Sequence, residues 1–434
     1  MGEKLSYDLS FKKFVNVTEK YNEFKKNCIP LCAAENCVSE FSKIPLSSSI
    51  KEKYVMGSPL EYIKDDNFIG ADIVYPYYHI ISDLCRQLYD AQYADARTLT
   101  GMNSITTLLM SLTNIGDKIA VSSVDCGGHA SIPDICMRLG LKLLELPYNY
   151  EELDFDYEEI NQLINANKDI KLILICISDV VNPFDISQII NPHNIPIVYD
   201  ATQTLGLIVG NIIDNPLANR KEQENFILMG ATHKTIPGPS CGLIMTQNMH
   251  LATTFDNKIN PTFIRNTQLN EKLSLICTLL EMKYFGKDYA ELTVQNARDL
   301  ANILSDCGFQ VMNKKRNFTS THQIFITCNE QQMYTFYNNC DYYNITLNFK
   351  TKRIFKNGGI RIGTQEISRY KWGHSELLII GDILKCLYDH PKAYLNDTID
   401  AYIREKIGML LPLKKIQYTF ETSNYETILK EIFL

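Results

Sequence analysis

Between residues 98 and 250 short apolar runs alternate with amphipathic stretches, and this alternation constrains the fold more than any other feature. "SITTLLMSL" has the spacing of a helix, "KIAVSS" that of a strand, "SIPDICMRLG" a helix and "LKLLELP" a strand. A helix at 156–166 follows, then strands at 171–177, 195–200, 226–229 and 241–246. Strands separated by helices predict a mainly parallel sheet covered on both faces. Beyond it, "NEKLSLICTLLEMKYFG" and "YAELTVQNARDLANILSDCG" read as two long helices, the second stopped by Gly308. "HQIFITC", a helix near 330–339, "GGIRIGT" and a helix at 373–389 predict a smaller α/β domain. Residues 1–90 read as helices and loops, with an aromatic stretch, "EYIKDDNFIGADIVYPYYH", dense enough for an interface or a site wall. Residues 391–434 read as an appended tail with one amphipathic helix, "IDAYIREKIGMLL".

A net charge of −7 argues against non-specific binding to nucleic acid or to an anionic membrane surface. Apolar runs such as "KLILICI" are too short to span a bilayer. The first residues, "MGEKLSYDLS", lack the apolar core of a secretory signal. Gly2 and Ser6 fit the loose myristoylation pattern, which we take as chance. Thirteen scattered cysteines, many in apolar segments, predict free thiols in a reducing, cytoplasmic setting. Cys28, Cys32 and Cys37 lack the spacing and the second pair of a structural zinc site.

Ligands of open α/β sheets sit beyond the carboxyl ends of the strands. Polar residues gather there: Asp200 after "IVY", Ser178 after "LILICI", His129 after "IAVSSVDCGG", and Lys234 in "GATHKTIPGPSCGL". Thr100, Gly101 and Met102 open a helix, where backbone N–H groups and the helix dipole favour an anion. Singly, each has a plain structural reading: Asp200 as a helix cap, His129 as a loop histidine, Thr100 as an N-cap. Together they match what pyridoxal phosphate needs. That cofactor requires a lysine for its aldehyde, a carboxylate to keep its ring nitrogen protonated, a flat group over the ring and a cradle for its phosphate.

The chain resembles the serine hydroxymethyltransferase family of fold-type-I pyridoxal enzymes through most of residues 28–390. "LCAAENCVS" is similar to the family's L-I-A-S-E-N-x-x-S, "KYVMGSP" to K-Y-x-E-G-Y-P, and "DCGGH" to D/H-G-G-H. "DATQTLGL", "THKTIPGPSCGLI", "NITLN" and "GGIRIGT" resemble further family stretches, in the family's order. The resemblance implies an α/β, fold-type-I architecture. A large cofactor-binding domain with a mainly parallel seven-stranded sheet would span 91–280, and a smaller α/β domain 281–390. The 1–90 segment would serve the active site and a homodimer with shared sites. Lys234 would hold pyridoxal 5′-phosphate covalently, Asp200 would pair with its ring nitrogen, and His129 would stack on the ring. Thr100, Gly101 and Met102 would cradle the phosphate, with Tyr54 reaching across from a partner subunit. Ser178, Gln203 and His233 would lie beside the cofactor. Arg361 would grip the α-carboxylate of an amino acid substrate, with Ala34 and Glu35 nearby; a guanidinium fork suits that task.

The departures bear on the reaction. The glutamate of K-Y-x-E-G, the family's acid–base group in hydroxymethyl transfer, is Met56 here. The tyrosine after it is Ser58, the serine of A-S-E-N is Ala34, and a histidine beside the cofactor is Gln203. A glycine pair offered to the partner's phosphate becomes Arg265-Asn266. Candidate replacement acids are Glu35, Tyr62, Asp65, Asp66, Asp72 and Tyr75. The expected activity is aldol or retro-aldol chemistry on an amino acid, of aldolase or transaldolase type and independent of folate. The alternatives are genuine serine–glycine hydroxymethyl transfer, an aminotransferase, racemase or decarboxylase on the same scaffold, and a non-catalytic cofactor-binding relative.

Overall fold

The computed structural model describes residues 8–60 and 68–434. Gly2, Ser6, Tyr62, Asp65 and Asp66 lie outside the described residues. The longer helices α1 (Leu9–Asn27) and α2 (Pro76–Tyr89) precede the main sheet, with short helical turns between them. Its strands are β1 (Tyr93–Asp95), β2 (Lys118–Val121), β3 (Lys142–Glu145), β4 (Ile170–Cys176), β5 (Ile197–Asp200), β6 (Phe226–Ala231) and β7 (Gly242–Thr246). They lie in the order β1-β7-β6-β5-β4-β2-β3. Only β7 runs antiparallel, to both of its neighbours; the other pairings are parallel. The expected strands and intervening helices between 98 and 250 are all present.

Alternation explains why the sheet needs cover on both faces. In β4, Ile173 and Ile175 enter one core, while Leu172, Leu174 and Cys176 enter the opposite one. Helix α3 (Gly101–Leu112) lays Ile105, Leu108 and Leu109 on the second face. Each such side chain, fully buried, contributes roughly 1.5–3 kcal/mol.

The two long helices expected after the sheet are one, α4 (Leu269–Asp306). The sequence pattern treats Gly286 as an end, but it lies mid-helix. The short helix Leu205–Val209 packs against α4 there, with Val209 3.0 Å from where a Gly286 Cβ would be. Gly286 therefore permits close helix–helix approach rather than termination. Leu275, Leu279 and Met282 of α4 lie in the core of the main sheet, and Ala297, Leu300 and Leu304 in a second core. The expected boundary at 280/281 thus falls inside a continuous helix. Cys307 caps it and Gly308 follows at φ +91°, the left-handed stop expected of a glycine.

The second core belongs to a four-stranded antiparallel sheet: β8 (Gln310–Val311), β9 (Gln323–Thr327), β10 (Asn348–Lys350) and β11 (Gly359–Gly363), ordered β8-β9-β11-β10. Helices α5 (Glu330–Tyr342) and α6 (His374–Asp389) pack on it. Ile29–Pro30 pairs with Ile345–Thr346, so the chain just after α1 joins this core. The tail holds two helices rather than one, α7 (Asp397–Leu410) and α8 (Asn424–Phe433). It folds back onto α4: the Phe420 ring lies 5.1–5.4 Å from those of Phe41, Tyr284, Phe285 and Tyr425. Among the described residues no helix is long and apolar enough to cross a membrane.

Candidate active site

The turn from β6 to β7 is tied from several sides. Thr232 Oγ1 donates to Pro239 O at 2.6 Å and accepts from Cys241 N at 3.2 Å. Gly238 N donates to Thr232 O at 2.9 Å. Thr235 Oγ1 accepts the Gly206 N–H at 3.1 Å, and a Cβ on Gly206 would stand 2.2 Å from Thr235 O. Asn36 Nδ2 donates to Lys234 O. The loop therefore presents Lys234 from a fixed backbone. Its Nζ makes no hydrogen bond among the described residues, and burial pushes its pKa below the usual lysine value, against the pull of Asp200. His233 Nδ1 is buried without a partner among the described residues, and burial and Lys234 both push that ring towards neutrality.

Asp200 ends β5 with both oxygens held. Oδ1 accepts the Thr202 N–H at 2.8 Å and the Thr202 hydroxyl; Oδ2 accepts the Cys176 thiol at 3.2 Å. His129 is half-buried, its ring Nδ1 accepting Ser131 N–H at 3.2 Å. Burial pushes its pKa down and Asp200 pulls it up, so the two groups share one field. Ser178 is fixed through its N–H to Gly127 O at 2.8 Å. Gln203 Oε1 accepts Gln323 Nε2 at 3.0 Å, and the same Gln323 nitrogen donates to Ser178 O at 3.1 Å. Gln323 lies on β9, so it ties the small sheet to the strand ends of the large one.

Thr100 caps α3, its hydroxyl accepting Asn103 N–H at 3.1 Å. The Gly101 and Met102 N–H groups have no partner among the described residues, as expected of a first turn. A Cβ on Gly101 would lie 3.0 Å from Ala231 Cβ, so the helix start packs directly on β6. A buried amine with lowered pKa, an anchored carboxylate, a neutral imidazole and a helix start with free N–H groups form a donor set that fits pyridoxal phosphate.

Arg361, on β11, is buried and already engaged. Its Nη1 donates to Ser178 O at 2.9 Å and to Asp179 Oδ1 at 2.7 Å; Nη2 donates to Asn348 Oδ1 at 2.8 Å. Nε is buried, with no partner among the described residues. Asp179 also takes Lys350 Nζ at 2.8 Å and Lys352 Nζ at 2.7 Å. Burial raises the Asp179 pKa, but Arg361, Lys350 and Lys352 outweigh it and hold the carboxyl at about 2. Burial and Arg361 push Lys350 down to about 8. The sequence reading missed Asp179, Lys350 and Lys352. A signal was present: the period-two spacing in "NFKTK" puts Asn348, Lys350 and Lys352 on one face of an extended chain.

Ala34 is half-buried in a loop held by Gln365 Nε2, which donates to Cys32 O at 2.6 Å and also to Glu35 O. The Glu35 side chain is exposed, as is Asp72, while Tyr75 is buried against Gly57. Tyr54 is exposed and packs on Phe68, ring centroids 4.6 Å apart. Met56 Sδ accepts from Arg265 Nη1 at 3.5 Å.

The sequence matches the model of the serine hydroxymethyltransferase family over residues 8–384. It is 27% identical over 431 residues to a serine hydroxymethyltransferase of Archaeoglobus fulgidus, spanning 96% of this chain and 94% of the relative. The corresponding protein of Staphylothermus marinus is 28% identical over 415 residues, spanning 89% and 92%. Among solved structures, the L-threonine transaldolase of Pseudomonas fluorescens, determined in its internal aldimine state, superposes with a TM-score of 0.88 at 22% identity. The match covers 97% of this chain and 96% of that one. At that identity the likeness is one of fold.

Proposed function

This chain belongs to the serine hydroxymethyltransferase family, with pyridoxal 5′-phosphate as its cofactor, and on that footing we propose that it is an aldolase or transaldolase independent of folate. It is a pyridoxal-phosphate-dependent transferase or lyase acting on an amino acid; the finer reading concerns which bond is made or broken. The supporting observation is Met56. The resemblance aligns it with the acid–base glutamate of hydroxymethyl transfer, and a thioether can neither give nor take a proton there. Among the described candidates for a replacement acid, Glu35 and Asp72 are exposed and Tyr75 is buried.

When bound, the cofactor supplies an electron sink for charge developing at the substrate's Cα. The chain's own residues do the rest in this reading. Lys234 would hold the cofactor aldehyde at rest and, its pKa lowered by burial, would move the proton at Cα. Asp200, with both oxygens anchored, would pair with the ring nitrogen. His129 would stack on the ring as a neutral imidazole, and Gly101 and Met102 would offer their N–H groups to the phosphate. Arg361 receives the α-carboxylate, sharing or exchanging its contact with Asp179. Tyr54, exposed on its own chain, serves the neighbouring site in a homodimer.

The test pairs two assays on the cofactor-loaded protein. Expected are negligible turnover of serine with tetrahydrofolate, and cleavage or formation of a β-hydroxy amino acid without folate. Robust serine-to-glycine conversion would restore the ordinary hydroxymethyl transfer and end this reading.

A further inference from the structure

The cluster behind Arg361 carries more positive charge than it balances. Arg361, Lys350 and Lys352 all bond to Asp179, and among the described residues none of the three bonds to any other carboxylate. Two positive charges are left in excess at positions only 5%, 16% and 17% exposed. Such charge is costly unless an anion arrives. Donor capacity is also unspent. Arg361 Nε is buried with no partner among the described residues. Among the described residues Lys350 uses one of its three N–H groups, and Lys352 uses two, the second on Gly128 O at 2.8 Å. Gly128 adjoins His129, and the Lys352 charge is felt at the His129 ring. The excess therefore borders the site.

An α-carboxylate at Arg361 neutralises one of the two charges. We propose that Lys350 and Lys352 take the second: the substrate carries another anionic group on its side chain, a carboxylate or a phosphate. This rests on reading the site as one for an amino acid bound beside pyridoxal phosphate. Asp179 is then the positioning residue that holds the three cations together, and the two lysines determine specificity.

Calorimetric titration of the cofactor-loaded full chain with paired ligands tests this. The pairs are L-aspartate and L-asparagine, L-glutamate and L-glutamine, and O-phospho-L-serine and L-serine. In at least one pair the acidic member binds about tenfold or more tightly, the scale of one added charge-assisted hydrogen bond. The responding pair distinguishes carboxylate from phosphate. K350Q and K352Q each bring the ratio below about threefold, and K350R restores it. Equal affinities within all three pairs overturn the proposal. So does a ratio that survives both glutamine variants together. If no ligand binds while borohydride still fixes cofactor on Lys234, the anion site is refuted and the cofactor assignment stands. If borohydride fixes no cofactor there, that assignment fails and takes the proposal with it.

Discussion

Arg361 Nη1 stands 2.7 Å from Asp179 Oδ1, with the arginine 5% exposed and the aspartate fully buried. Asp179→Asn would leave three cations facing each other, and removing one partner of a buried pair costs about 3–5 kcal/mol. The pH sign follows from the carboxyl being held at about 2, below its ordinary 3.8. Its contribution is full above the unfolded value and disappears as pH falls through the folded one. Urea midpoints should be lower for Asp179→Asn near pH 7, and the difference from wild type should shrink between about pH 4 and 2. A midpoint matching wild type at neutral pH would mean the carboxylate holds nothing together.

Lys350→Gln should act in the opposite direction. The folded ammonium titrates at about 8 against an ordinary 10.5, so the unfolded chain binds more protons in between. Stability then rises with pH across that window, and below it the charged lysine is a cost. The variant should melt higher than wild type at pH 7, with Arg361 and Lys352 still pairing Asp179. The gain should fade above pH 8. A lower melting temperature at pH 7 would show the Lys350–Asp179 contact to be net favourable.

Lys234→Ala should remain folded, since it removes an amine that burial already disfavours. Borohydride reduction and peptide mapping should tag Lys234 in the wild-type protein and leave the variant unlabelled. A tag on another lysine would displace Lys234 from its assigned role.

Gly206→Ala would drive a methyl to within 2.2 Å of Thr235 O and strain the loop that presents Lys234. Overpacking of this kind costs about 1–3 kcal/mol. Both melting temperature and cofactor affinity should fall. Unchanged cofactor loading would show that the loop can shift without moving its lysine.

Helix α1 leaves Leu9, Phe14, Val17 and Tyr21 58–67% exposed and buries no side chain. An apolar stripe of this kind marks a surface for association. Sedimentation at micromolar concentration should give a dimer, and deletion of residues 1–27 should weaken it. A fully active monomer would contradict the shared-site arrangement.

The strands and helices between 98 and 250 were legible because they rest on local periodicities: two for a strand, 3.6 for a helix. The placement of Asp200, Ser178, His129 and Lys234 at or beyond strand ends was legible for the same reason, since a strand's end fixes where the next residues emerge. What the sequence could not disclose depends on which distant segments meet. Gly286 reads as a stop until a second helix is seen packed against it. Residues 29–30 read as loop until they pair with 345–346. Arg361 reads as an open fork until Asn348 falls opposite it across β10 and β11, bringing Lys350 into the same cluster. Asp179 then fills the fork that local pattern left empty. Local sterics and hydrophobic period act over a few residues; charge pairing and register between remote strands are set only when the cores close.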